Sequence, residues 1–166
     1  MSPRNWTATG ELFRLFQSVG RASLLADIQD SHSGNMAVKI KDEAGTETIV
    51  ITASGSQKGD LEPEQICFLS AEETDYGYYK ASSETDIHRR ILALPGAAAS
   101  MHAHTKEMAI ATLDDTPKPA QPPHFIPIDP LGWHALGAHV HVDWFAVASG
   151  SPEMAERIPR RLAHHH

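Results

Sequence analysis

Met36-Ala-Val-Lys-Ile-Lys41, then Asp42-Glu-Ala-Gly45, then Thr48-Ile-Val-Ile-Thr52: this run decides the fold. The first segment alternates apolar and polar side chains and the last is β-branched. A polar, glycine-bearing loop joins them, so they read as antiparallel neighbours. Ile66–Leu69 reads as a further short strand, and Ala97–Met101 as a buried one. Upstream, Leu12, Leu15, Phe16, Val19 and Leu24–Ala26 keep helical spacing behind Thr9, a suitable N-cap. A second helix is predicted over Ser83–Leu94, capped by Ser82 or Ser83 and stopped by Pro95-Gly96, and a third over Lys106–Leu113. Asp114–Pro130 is a proline-rich loop and His141–Ala148 a strand. Ser151-Pro152-Glu153 opens a last helix with a cap, an N1 proline and an acidic first turn. Hairpin-paired strands interspersed with helices predict an α+β fold. Its sheet is central and mainly antiparallel, flanked by helices, in a single domain over 1–166.

The bulk numbers exclude more than they identify. A hydrophobic share of 41% supports a sizeable core, and no apolar run approaches the ~18 residues of a membrane span. Net charge is −7 with no basic stripe, which argues against nucleic acid as a partner. An anionic ligand would have to be held by local donors. The N-terminus lacks the apolar region of a signal peptide, and the single cysteine, Cys67, fits core packing in a reducing cytoplasm. His164–His166 form a terminal run and carry no compositional weight.

Four short segments carry chemistry. In Met101-His-Ala-His-Thr105 the two imidazoles stand two residues apart at a strand end, so both can reach one point, as a zinc site requires. Taken alone the pair could equally meet solvent. Ser82-Ser-Glu-Thr-Asp-Ile-His88 opens a helix whose hydroxyls and first amides suit an anion. Glu84 is either a cap or a general acid/base, and His88 is by default a structural or surface histidine. Thr52-Ala-Ser-Gly-Ser-Gln-Lys-Gly59 can aim backbone N–H groups at a phosphate or carboxylate, with Lys58 adding charge. In Ser33-Gly-Asn35, Gly34 permits close backbone approach and Asn35 offers an amide.

In that order the four segments resemble the class II aldolase/adducin family, from about Ser33 to Thr112 and more loosely through Ile126–Asp129 and Ser149–Ala155. The resemblance implies a three-layer α/β/α domain in a homo-oligomer, commonly a tetramer. It also implies a zinc or other divalent cation held by His102 and His104. Glu84 would be the catalytic acid/base, with Asn35, Ser54, Gly55, Ser82 and Ser83 around the phosphate or carboxylate end of a small substrate and Lys58 a weaker member. The implied activity is that of a lyase making or breaking a C–C bond in a hydroxy-carbonyl compound through a metal-stabilised enediolate. Epimerase, dehydratase or decarboxylase chemistry uses the same apparatus, and adducin-like domains keep the fold for assembly alone. In the family a third histidine lies in a Gly-His-Gly-like turn on a strand after the helix matching Pro152–Leu162. His166 falls about where that strand should begin, so the expectation is a chain stopping before the third ligand. His139, His141 and His164–His166 are poor geometric substitutes.

Overall fold

Trp6–Leu25 form the first helix (α1), which begins earlier than its spacing suggested; Thr9 lies inside it and is not its cap. The computed structural model describes residues 6–30, 32–41, 45–69, 74–75, 80–113, 124–125, 131, 134, 140–144 and 146–163. Strands Asn35–Lys41 (β1), Glu47–Thr52 (β2), Ile66–Leu69 (β3) and Thr74–Asp75 (β4) follow, with single 3₁₀ turns at Lys58–Asp60 and Pro63–Gln65 before β3. Then come Thr85–Leu92 (α2), Ala99–His102 (β5), Lys106–Leu113 (α3), the short pair His124–Phe125 (β6) and Val140–His141 (β7), and Pro152–Ala163 (α4).

The main sheet has the order β4-β3-β2-β1-β5, antiparallel throughout, as hairpin pairing predicts. Period-two alternation sorts its side chains cleanly. Met36, Val50 and Ile66 point to one face, where Phe16 of α1 and Leu61 bury them. Ala37, Ile51, Cys67 and Leu69 point to the other, against Ala81 and Leu92 of the α2 region, and α4 packs behind α2. The architecture is therefore α+β in three layers. Cys67 is core, at 1% exposed.

Three further local expectations needed correction. The second helix spans Thr85–Leu92 only, and its N-cap residue is Glu84, whose side chain makes no capping bond. Ser82 Oγ instead accepts from the Glu84 N–H at 3.3 Å. The strand into the histidines is not buried: Met101 is 40% exposed, above an apolar groove of about 290 Å³ between α1 and β5. Ala-rich segments read as buried from composition alone, yet β5 has a sheet neighbour on one side only among the described residues. Finally, of the predicted His141–Ala148 strand only His141 pairs, together with Val140 before it, while 142–144 and 146–148 are irregular. The last helix starts as expected, with Ser151 Oγ accepting from the Met154 N–H at 3.3 Å. The 114–123 and 126–130 parts of the proline-rich loop, the Asp42–Ala44 turn, His139 and His164–His166 lie outside the described residues.

Candidate active site

Asn35 opens β1 and lies directly opposite His102, the last residue of β5. Cross-strand partners share a face, so both side chains emerge on the α2 side of the sheet. Glu84, the residue before α2, meets them there and is 4% exposed. Its Oε2 accepts from Asn35 Nδ2 at 2.8 Å and from His102 Nδ1 at 2.5 Å, while Oε1 accepts from Ser149 Oγ at 2.5 Å. Burial by itself raises the pKa of this carboxyl. The hydrogen bonds from His102, Ser149 and Asn35, helped by the charge of His102, outweigh it and bring the value down to about 2. Glu84 is thus an ionised acceptor, not a helix cap.

An ionised carboxylate only accepts, and that assigns the neighbouring protons. His102 must carry hydrogen on Nδ1, which leaves the lone pair on Nε2 when the ring is neutral. Asn35 must turn its NH₂ to Glu84, so its Oδ1 faces His88 Nε2. His88 is 2% exposed, and its Nδ1 lies 2.5 Å from Ser100 Oγ. The default structural reading of His88 holds, though as part of a connected polar network. Burial pushes its pKa down to about 4; Glu84 opposes this and His102 adds to it. Free histidine titrates near 6.5, so between those values the unfolded chain binds a proton that the folded one does not. Stability from this group is complete above pH 6.5 and is lost as pH falls through 4, by about 3 kcal/mol. Denaturant midpoints at pH 7.5 and 4.5 should show a smaller acid loss for His88→Gln than for the parent.

His104 lies two residues beyond the end of the strand, and its ring centroid lies 4.6 Å from that of His102. Its backbone N–H donates to Ile28 O at 2.9 Å, and Gln29 Nε2 donates to His102 O at 3.1 Å, so the segment after α1 clamps the pair. Gly34 is indispensable to this approach. A Cβ there would stand 2.5 Å from both Gln29 Nε2 and His102 O, and φ is +70°. Burial, then the charge of His102, pushes the His104 pKa down, which favours a neutral ring.

The opposite wall holds the hydroxyl-rich turn. Gly55 has φ of +71°, which suits glycine, and the Ser54 and Ser82 N–H groups donate to Lys80 O and Thr52 O. Lys58 is 2% exposed, with Nζ donating to His32 O at 2.9 Å and Ser56 O at 2.6 Å; burial pushes its pKa down. Asn35, Ser54, Gly55, Lys58, Ser82, Ser83, Glu84, His102 and His104 all line one cleft of about 180 Å³, together with His32 and Ser149. Whereas His88 lies outside its lining, the candidate catalytic, metal and substrate-binding residues read from sequence thus share this cleft. Asn35 does so with both ends of its amide engaged by protein.

Residues 14–166 match the family described as Class II Aldolase and Adducin N-terminal domain. The chain belongs to that family. One relative, the 5-methylthioribulose-1-phosphate/5-deoxyribulose-1-phosphate aldolase of Rhodospirillum rubrum, is 35% identical over 89 residues, covering 53% of this chain and 38% of the relative. The match therefore spans well under half of that protein. L-fuculose-1-phosphate aldolase from Thermus thermophilus superposes with a TM-score of 0.72 at 27% identity, over 94% of this chain and 72% of that one. YgbL from Escherichia coli gives 0.71 at 18% identity, over the same shares of the two chains, and speaks to the class II aldolase fold alone.

The donor set can be tested against the divalent cation that class II aldolases generally use. His102 presents a free Nε2 lone pair because Glu84 holds its Nδ1, the arrangement that orients metal-binding histidines. With His104 beside it, two imidazoles fit. Among the described residues no group of three or more His, Cys, Asp or Glu is placed to hold a metal ion. Sequence reasoning did not find Ser149, which reaches Glu84 across 65 residues, or the contribution of His32 to the cleft. Neither carries a local signal. No helix among the described residues is long and apolar enough to cross a membrane.

Proposed function

We propose that this class II aldolase domain is a metal-dependent lyase that cleaves or forms a C–C bond in a small phosphorylated hydroxy-carbonyl compound, a ketose 1-phosphate being the class its relatives act on. The supporting observation is the meeting, in one cleft, of an ionised carboxylate, an imidazole pair and a lysine-backed hydroxyl turn. His102 and His104 would hold the cation, zinc or another divalent ion, as two ligands of its set. When bound, it supplies Lewis-acid polarisation of the substrate carbonyl.

The chain's own residues then divide the work. Ser54, Gly55, Ser82 and Ser83 bind the anionic end at the turn and the start of α2, and Lys58 supplies positive charge beneath them. Asn35 orients Glu84. Oε2 of Glu84 already takes two donors, whereas Oε1 takes only the Ser149 hydroxyl, so Oε1 has the lone pair left for a substrate proton. Glu84 holds and returns that proton beside the carbonyl as the C–C bond breaks or forms. We also infer a homo-oligomer, on the family resemblance.

Equilibrium dialysis against buffered zinc, with residues 164–166 deleted, tests the metal assignment. The parent should retain zinc near stoichiometry, and His102→Ala should bind it at least about tenfold more weakly, since an anchored imidazole is lost. Equal binding by both would overturn the assignment. A panel including 5-methylthioribulose 1-phosphate and L-fuculose 1-phosphate, read by aldehyde release, tests the reaction.

A further inference from the structure

The hydrogen bonds beneath the cleft form one directional series. Ser100 O–H points to His88 Nδ1, and His88 Nε2–H points to Asn35 Oδ1. Asn35 Nδ2–H points to Glu84 Oε2, which also receives His102 Nδ1–H. None of the heteroatoms permits the reverse order while Glu84 is ionised, because a carboxylate offers no proton. His88 reaches this place because it lies one turn after Glu84 on α2, facing β1 and β5. Ser100 and His102 lie two apart on β5, on the face they share with Ala37 and Asn35.

We propose that His88 is a positioning residue for the site: its Nε2–H holds the Asn35 amide with NH₂ toward Glu84, and this keeps the carboxylate where it fixes His102 as the Nδ1–H tautomer. Without a donor at position 88, Asn35 Oδ1 loses this partner and the Glu84 carboxylate alone opposes a turn of the amide. Rotating the amide by 180° would set its oxygen against the Glu84 carboxylate, and the carboxylate would leave His102. The tautomer effect stands on geometry alone, while its consequence for cation binding rests on the function proposed above.

Gln can place an N–H near the position of imidazole Nε2, whereas Leu cannot, so His88→Gln and His88→Leu separate donor from bulk. Nitrogen-15 imidazole spectra of metal-free, chelator-treated protein read the tautomers directly. The parent should show His88 with its hydrogen on Nε2 and His102 with its hydrogen on Nδ1. His88→Gln should preserve the His102 signature. His88→Leu should lose it and bind zinc about 10–100-fold more weakly, as removal of outer-shell partners does. A folded His88→Leu protein with the parent's His102 tautomer and zinc affinity would overturn the proposal. So would a parent protein with the hydrogen on His88 Nδ1 or on His102 Nε2, a result that needs no variant to fold. A parent that shows the expected tautomers yet binds no zinc would remove the metal reading and leave this inference standing.

Discussion

Replacing Glu84 by Gln is expected to lower turnover by about 10²–10⁴-fold, the usual range for losing a general acid/base. The structure says why so small a change has so large an effect. Asn35 and His102 both aim N–H groups at Oε2, and Ser149 aims its hydroxyl at Oε1. Gln has one oxygen and one NH₂ for these two positions. With its oxygen toward Asn35 and His102 and its NH₂ donating to Ser149 Oγ, all three partners stay satisfied, but no lone pair is left at the Oε1 position for a substrate proton. His102 thereby keeps its hydrogen on Nδ1 and its Nε2 lone pair. The variant should therefore lose turnover while keeping most of its zinc affinity, and dialysis alongside aldehyde release would measure both. Parent-like turnover with a ketose 1-phosphate would remove Glu84 from the mechanism.

Gly20→Ala should have the largest effect on stability, a loss of about 3 kcal/mol or more. Gly20 lies in α1, where its Cα faces the backbone of the buried Lys58. A Cβ would sit inside the contact radius of the Lys58 carbonyl oxygen and 2.8 Å from its carbonyl carbon. Backbone cannot rotate away as a side chain can, so α1 would have to lift from the 3₁₀ turn that carries Lys58. Gly10, in the same helix, has nothing within 4 Å of a built Cβ. There the same change should stabilise by about 0.5–1 kcal/mol, because alanine loses less freedom in a helix. Denaturant midpoints of the two variants should shift in opposite directions. A shift of the same sign and size would mean that helix propensity alone governs both.

Much of this was legible in the chain because its signals are local. Alternation in Met36–Lys41 marked a strand with two distinct faces, and the structure keeps that sorting. Ser151-Pro152-Glu153 marked the start of the last helix, because capping chemistry lies within one turn. Thr9 misled for the complementary reason. Threonine is as good a cap as it is an ordinary residue inside an already formed helix, and the sequence around it does not separate the two. Glu84 looked like a cap because Ser-Ser-Glu before an apolar stripe is how capping boxes read. What makes it otherwise comes from 18, 49 and 65 residues away, at His102, Asn35 and Ser149. His88 hid its neighbours for the same reason, since nothing near it in the chain names Ser100 or Asn35.

The hydroxyl that Ser149 gives to Glu84 also sets a timetable. During synthesis β1 and β2 leave the ribosome almost together and can pair at once. Glu84 emerges later, and Ser149 follows it by 65 residues, which at about 5–20 residues per second is a lag of about 3–13 s. Throughout that interval the nascent carboxylate lacks its third donor, and Gly150 has not yet settled against the Ser83 carbonyl, where a built Cβ would come within 2.7 Å. The cleft is therefore completed only after the whole main sheet has emerged, and a chain translated as far as α3 carries that sheet before it carries the third donor.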